Sequence, residues 1–210
     1  MKLIDATKSE GRPFEIPDCS RDDLPQFFVE MGYKVGAEIG VYKGKYTERF
    51  CRAGLKMYGI DPWLVYQDNE KNIPGAQEPW DAAYERSQRA LAHYINNGSC
   101  TLIKKSSMKA LNDFADGSLD FVYIDGDHNF KYIAEDIVEW TKKVRKGGTV
   151  SGHDYTLRHE APNPFVLHVK YVVDAFTKAF SISNWYLLGR AEKLPGEKRE
   201  ISRSWMFIKS

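Results

Sequence analysis

The feature that most constrains this chain is a series of short apolar runs, most ending on glycine or aspartate and spaced by helix-length segments. KVGAEIG (34–40), LKMYGID (55–61), CTLIKK (100–105), SLDFVYID (118–125) and KGGTVSGHD (146–154) read as strands. Residues 23–33, 45–54, 80–98, 106–114, 129–144 and 164–180 read as helices, with apolar positions recurring at three- and four-residue spacing. Gly54 and the Asn-Asn-Gly of 96–98 are helix stops, and Asp22 or Asp23 is an N-cap candidate. Strands alternating with helices predict a mostly parallel sheet covered on both faces. The run 118–125 is almost uninterrupted, as a strand buried on both sides requires. At the end, 183–189 and 202–210 read as two strands with no helix between them, which predicts an antiparallel close. Residues 1–33 are read as an irregular lead-in (1–22) plus a short helix, 34–210 as one α/β domain, and 61–79 as a long loop.

At 210 residues the chain is long enough for one well-buried core. Lys and Arg number 30 against 29 Asp and Glu, a net charge of +1 that argues against a nucleic-acid partner. No run approaches the roughly 18 apolar residues of a membrane span, and the first residues carry no apolar secretory core. Three scattered cysteines (19, 51, 100) fit neither a disulfide framework nor a CxxC zinc site. They point to a reducing, cytoplasmic setting.

Four clusters carry chemistry, and each follows a strand. Glu38, Gly40 and Gly44 lie where the first strand turns into a helix; glycine there permits a tight turn and close approach of backbone to ligand. Asp61 ends the second strand, about 20 residues after that turn, where a carboxylate meets ribose hydroxyls in doubly wound folds. The following Pro62 and Trp63 are candidates for an apolar face against a purine. Asp125, Asp127 and His128 follow the most buried strand, at the sheet edge where open α/β folds bind ligands. Two carboxylates and an imidazole suit a divalent cation or a general base, while Asp127 also suits the cap of the next helix. His153 and Asp154 end the next strand. Because those two strands are expected to be neighbours, Asp125 and Asp154 converge.

Taken together, E38-I-G-V-Y-K-G44, I60-D61, Y123-I-D-G-D-H128 and G147-G-T-V-S-G-H-D-Y155 resemble the class I S-adenosylmethionine-dependent methyltransferases, in particular a small bacterial branch. The resemblance covers about 34–210. It implies a Rossmann-like seven-stranded, mostly parallel sheet with a reversed last strand. It also implies that S-adenosylmethionine is bound by Glu38, Gly40, Gly44, Asp61, Ser106 or Ser107, and Asp125. By the same resemblance to metal-dependent O-methyltransferases, Mg2+ sits on Asp125 and Asp154, with His153 beside them, and His128 is the base. The implied activity is O-methylation of a small-molecule or sugar hydroxyl.

Three rival readings share this layout. An NAD-dependent oxidoreductase needs a middle glycine where this chain has Tyr42. A nucleic-acid methyltransferase is disfavoured by charge and by the lack of an amine-methylating Asn-Pro-Pro-Tyr type motif. A degenerate nucleoside-binding module would keep the fold without turnover. The apolar positions of helix 164–180 suggest a homodimer surface.

Overall fold

The computed structural model describes residues 3–64, 77–156 and 167–210. Along the chain run α1 (Leu3–Ala6), β1 (Phe14–Ile16), α2 (Leu24–Glu30), β2 (Val35–Ile39), α3 (Lys45–Arg52), β3 (Lys56–Ile60), α4 (Glu78–Asn96), β4 (Cys100–Ile103) and α5 (Ser107–Ala110). There follow β5 (Leu119–Ile124), α6 (Phe130–Lys143), β6 (Val144–Tyr155), α7 (Val169–Ala179), β7 (Trp185–Leu188) and β8 (Arg203–Ile208). The strands form a single sheet in the order β1-β7-β8-β6-β5-β2-β3-β4. From β4 to β6 neighbours are parallel, and β8 runs antiparallel to both β6 and β7. The mostly parallel α/β sheet and its reversed last strand are as expected.

The sheet has eight strands rather than seven. The extra one comes from the lead-in, where Phe14–Ile16 pair in parallel with Tyr186–Leu188. A strand of three residues is too short for two-residue alternation to register. The lead-in is also not irregular: Leu3, Ala6, Ile16 and Cys19 are buried in the core. Ser20 starts the next turn with a reciprocal cap, its hydroxyl facing the Asp22 amide at 3.3 Å and the Asp23 carboxylate taking the Ser20 amide at 2.9 Å. Ser20 caps this preceding turn, while Asp23 stands at the N-cap position of α2, as expected, without a side-chain cap bond there.

Two apolar clusters cover the two faces. α1 to α4 pack Phe27, Phe28, Phe50 and Leu91 against Phe121 and Tyr123. α5 to α7 pack Ile133, Ile137, Trp140, Val172 and Phe176 against Val122, Ile124 and Val150. β5 lies between them and buries residues on both sides, which is why its sequence hardly alternates. α7 turns Val169, Val172, Val173 and Phe176 inward, so its apolar stripe belongs to the core, while Tyr171, and Phe180 just past its end, are large apolar side chains left exposed. Segment 106–114 is one short α-turn that tightens into a 3-10 turn at 111–113. Cys19, Cys51 and Cys100 are buried free thiols. Among the described residues no helix is long and apolar enough to cross a membrane.

Candidate active site

The sheet reverses its winding between β2 and β5, and ligands of open α/β sheets bind at the carboxyl ends of strands beside such a reversal. A cleft of about 490 Å³ opens there, within the usual range for small-molecule sites. Gly40, Asp61, Ser106, Ser107, Asp125 and His128 all line it.

Gly40 has φ +92, and a Cβ on it would stand 2.2 Å from the Asp125 carbonyl oxygen. Only glycine lets the β2 and β5 ends approach this closely. Gly44, at φ +77, begins α3 and faces Ser87 and Leu91 of α4. Its task is helix packing, and it does not line the cleft. Glu38 is 1% exposed and takes a short hydrogen bond from the Thr47 hydroxyl. Burial pushes its carboxyl well above the usual range, the Thr47 bond works against that, and the nearby Asp125 charge adds to it. Glu38 thus fastens the β2 turn to α3 from beneath and is not part of the cleft wall.

Among the described residues, Asp61 is oriented by backbone amides. Tyr42 N–H donates to one carboxylate oxygen at 2.9 Å and Trp63 N–H to the other at 2.7 Å. Burial raises its pKa while these amides pull it down. Each oxygen keeps a lone pair for a ligand hydroxyl. Trp63 does not offer a face to the cleft: it is fully buried against Val41 and Ala83, its indole N–H bound to the Tyr42 carbonyl at 2.8 Å. Pro62 and Leu64 line the cleft in its place. The rest of the long loop, 65–76, lies outside the described residues.

Beyond Gly40 the strand ends gather charge. His128 Nε2 stands 2.9 Å from Asp154 and 3.9 Å from Asp125. His153 Nδ1 stands 3.4 Å from Asp154 and 3.9 Å from Asp125, and its Nε2 is 3.7 Å from Glu200. Arg21 closes the circuit, with Nε 2.9 Å from Glu200 and Nη1 3.2 Å from Asp125. The result is a ring of alternating sign: Asp125, His128, Asp154, His153, Glu200, Arg21. Burial disfavours both charged imidazoles, yet the carboxylates outweigh it and push His128 up to about 10 and His153 up to about 9. Burial likewise opposes Asp154, but the two histidines hold it well below the carboxylate range. Asp154 has φ +56 at a register shift between β6 and β8, an irregularity of the kind that re-aims a side chain beside a site.

Among the described residues, one group of three donor atoms within 4.8 Å of one another is suited to a cation, from Asp125, His128 and Asp154. His153, the imidazole of the expected metal set, keeps its Nδ1 beside the same two carboxylates and turns its Nε2 toward Glu200. Two carboxylates with an imidazole suit a divalent cation, and the buried His128 Nε2 has no aligned hydrogen bond. The residues fit a metal.

Sequence reasoning missed Arg21, Glu200 and His168. The first two come from segments that carry no motif. His168 starts α7, where its amide donates to the His128 carbonyl at 2.9 Å and its Nδ1 accepts from Phe130 N–H at 3.0 Å. It therefore pins the loop that carries His128. Asp127 turns back to accept from Asn129, both amide and side chain, within its own loop.

A family profile described as "Methyltransferase domain" matches residues 37–155, from β2 to the end of β6. An O-methyltransferase from Bacillus cereus in complex with SAH is similar in structure, with 12% identity, a TM-score of 0.61, and coverage of 90% of this chain and 80% of that one. The O-methyltransferase TomG from Streptomyces achromogenes in complex with SAM has 14% identity, a TM-score of 0.60, and coverage of 90% and 79%. An rRNA methylase from Streptococcus thermophilus has 12% identity, a TM-score of 0.57, and coverage of 89% and 93%. Among curated proteins, the uncharacterized protein y4gI of Sinorhizobium fredii is 24% identical over 127 residues, 58% of this chain. The chain spans only 13% of that relative's length. The solved structures share the fold; the profile, running through the Gly40 turn, Asp61 and both aspartate-bearing strand ends, places the chain in the methyltransferase domain family.

Proposed function

We propose that the chain transfers a methyl group from S-adenosylmethionine to a hydroxyl of a small molecule, with vicinal hydroxyls of sugars and catechols as the first acceptors to try. One observation carries this reading. A carboxylate already oriented by backbone, Asp61, shares a cleft with Asp125, and Asp125 belongs to a charged ring suited to a polar acceptor. Two of the structural relatives described above hold SAM or SAH.

Asp61 accepts from the ribose hydroxyls, and Gly40 lets the backbone come close to the cofactor's amino-acid part, with Glu38 and Gly44 holding the turn in place. Ser106 and Ser107 lie toward the base. Asp125 stands beside the methyl donor. Methyl transfer from a sulfonium is an in-line displacement, so alignment of acceptor and methyl carries much of the rate. Asp125 and Asp154 are the residues that would hold Mg2+, with His153 and Glu200 behind them, which leaves His128 beside the carboxylates for the proton. A bound cation would lower the pKa of an acceptor hydroxyl and orient it. His128 is the candidate base, but in the ring as it stands it keeps its proton at neutral pH. It becomes a proton acceptor when an incoming group draws Asp154 or Asp125 away from it.

Calorimetric titration with S-adenosylhomocysteine tests this, with NAD+ as control and Mg2+ against chelator as the variable. Micromolar binding of the sulfur nucleoside alone is expected. Binding of NAD+ instead would overturn the reading, and binding of neither would favour a module that has lost its cofactor.

A further inference from the structure

His128 and Asp154 stand 2.9 Å apart but come from different segments, the loop after β5 and the end of β6. Both segments are irregular. Asn129, at the N-cap of α6, makes no side-chain cap bond, so the first amides of that helix need another acceptor. On β6, Gly152 pairs with Trp205 and Tyr155 with Arg203, so three steps along β6 match two along β8. Asp154 lies inside that bulge at φ +56. Such a backbone persists only where its surroundings over-determine it.

One helix meets both segments. At the start of α7, the His168 amide donates to the His128 carbonyl at 2.9 Å, and His168 Nδ1 accepts from the Phe130 amide at 3.0 Å. His168 thus grips the two peptide units that follow His128 and supplies the cap that Asn129 does not. Further along α7, Asp174 accepts from the Tyr155 hydroxyl at 2.8 Å. Lys170, ion-paired with Asp174, donates to the same hydroxyl at 3.1 Å. Tyr155 directly follows Asp154 and is buried. From 168 to 174 a helix rises about 9 Å, and its inner face, Val169, Val172, Val173 and Phe176, is packed into the core. The two grips are therefore a fixed distance apart.

We propose that α7 sets the gap between His128 and Asp154. His168 holds the His128 loop, Lys170 and Asp174 hold Tyr155 and with it the Asp154 bulge, and the helix between them keeps the two arms in register. His168 and Tyr155 are positioning residues, and neither lines the cleft. What the gap serves rests on the methyl-transfer reading, in which a misplacement of 1 Å costs about a hundredfold in rate. The gap itself does not rest on it.

NMR relaxation of the metal-free protein, at one pH and with no ligand added, tests this. In the wild type the His128 ring Cε1–H and the Asp154 amide are expected to be as ordered as rigid backbone, with order parameters of about 0.85. His168→Phe keeps a ring but offers no acceptor. The His128 value should then fall below about 0.6, while His153, beside the same carboxylates, keeps its own. His168→Asn, whose Oδ1 stands near the place of Nδ1, should restore His128. Tyr155→Phe should loosen the Asp154 amide. A His128 ring as ordered in His168→Phe as in the wild type overturns the proposal. So does a loss shared equally by His153, which marks general loosening, or a His168→Asn no better than His168→Phe. If His168→Phe does not fold, Tyr155→Phe carries the test, and an Asp154 amide as rigid as in the wild type overturns the proposal. These signals need neither cofactor nor acceptor, so this proposal and the methyl-transfer reading fail separately.

Discussion

The two ends of the cleft are built on different plans. At the Asp61 end every orienting contact is local or comes from the adjacent strand. Asp61 is held by the amides of Tyr42 and Trp63, and the Gly40 amide bonds to the Ile60 carbonyl at 2.9 Å. At the Asp125 end the ring draws on the lead-in (Arg21), two strand ends and the β7–β8 connection (Glu200). Backbone amides cannot change their charge, so the first end is fixed once the sheet forms. The second end is a balance of ionised side chains in which each member sets the state of the next. Changes at the Asp61 end should therefore act singly, and changes in the ring should spread.

The sharpest separation comes from Asp125→Ala. It removes the ring member that faces the cofactor cleft and leaves Arg21 with Glu200 alone. Turnover should fall about a thousandfold or more, ~4 kcal/mol in transition-state terms, with a much smaller change in S-adenosylhomocysteine affinity. Steady-state rates with calorimetry on the same preparation measure both, and a loss of less than tenfold would remove Asp125 from the reacting end. In a cation titration, Asp125→Asn and Asp154→Asn should each weaken Mg2+ binding. A wild type giving no heat with Mg2+ would dispose of the metal.

His128→Ala comes next. Loss of a general base costs about a hundredfold or more in rate, while the cofactor, anchored at Asp61, should bind as before. Equal rates for the variant and the wild type would show that proton removal is done elsewhere. Asp61→Ala should behave in the opposite way. Losing a charged acceptor for two hydroxyls weakens cofactor binding by about 2 kcal/mol, roughly thirtyfold, and turnover at saturating cofactor should change little. If Asp61→Ala lowers the saturated rate as much as the affinity, the two ends are coupled and the contrast fails.

The same contrast explains what the sequence disclosed. The Asp61 end was legible because its residues sit one after another at strand ends, where strand–turn–helix spacing marks them. The parallel sheet and reversed final strand followed from the alternation of runs and from the helix-free close. Asp125, His128 and Asp154 were legible for the same reason. Arg21 and Glu200 were not, because nothing in a turn of the lead-in or in a polar connection indicates which strand end it will fold back on. β1 escaped because three residues hold no period. Trp63 was misplaced because a large aromatic beside a site fits a buried wedge as well as a ligand platform; its positive φ of 45°, invisible in the sequence, sends it inward.

The smallest expected effect bears on how the ring is shared. Glu200→Gln removes the acceptor behind His153 while leaving Asp154 in front of it. Glu200 is one of the groups that raise the His153 pKa from its ordinary 6.5 to about 9. With Gln at 200, NMR titration of the metal-free protein should put the His153 midpoint lower, by less than a unit or so, with His128 moving less because it does not touch Glu200. A histidine whose pKa is raised on folding adds stability that is complete below 6.5 and disappears as pH rises through the folded value. The variant should therefore be less stable than the wild type at pH 6, by a fraction of a kcal/mol for so partly exposed a pair, and the deficit should close above pH 9. A deficit that persists unchanged at pH 10 would mean that Glu200 acts through Arg21 rather than through His153, and the ring would then be two separate pairs with no circuit joining them.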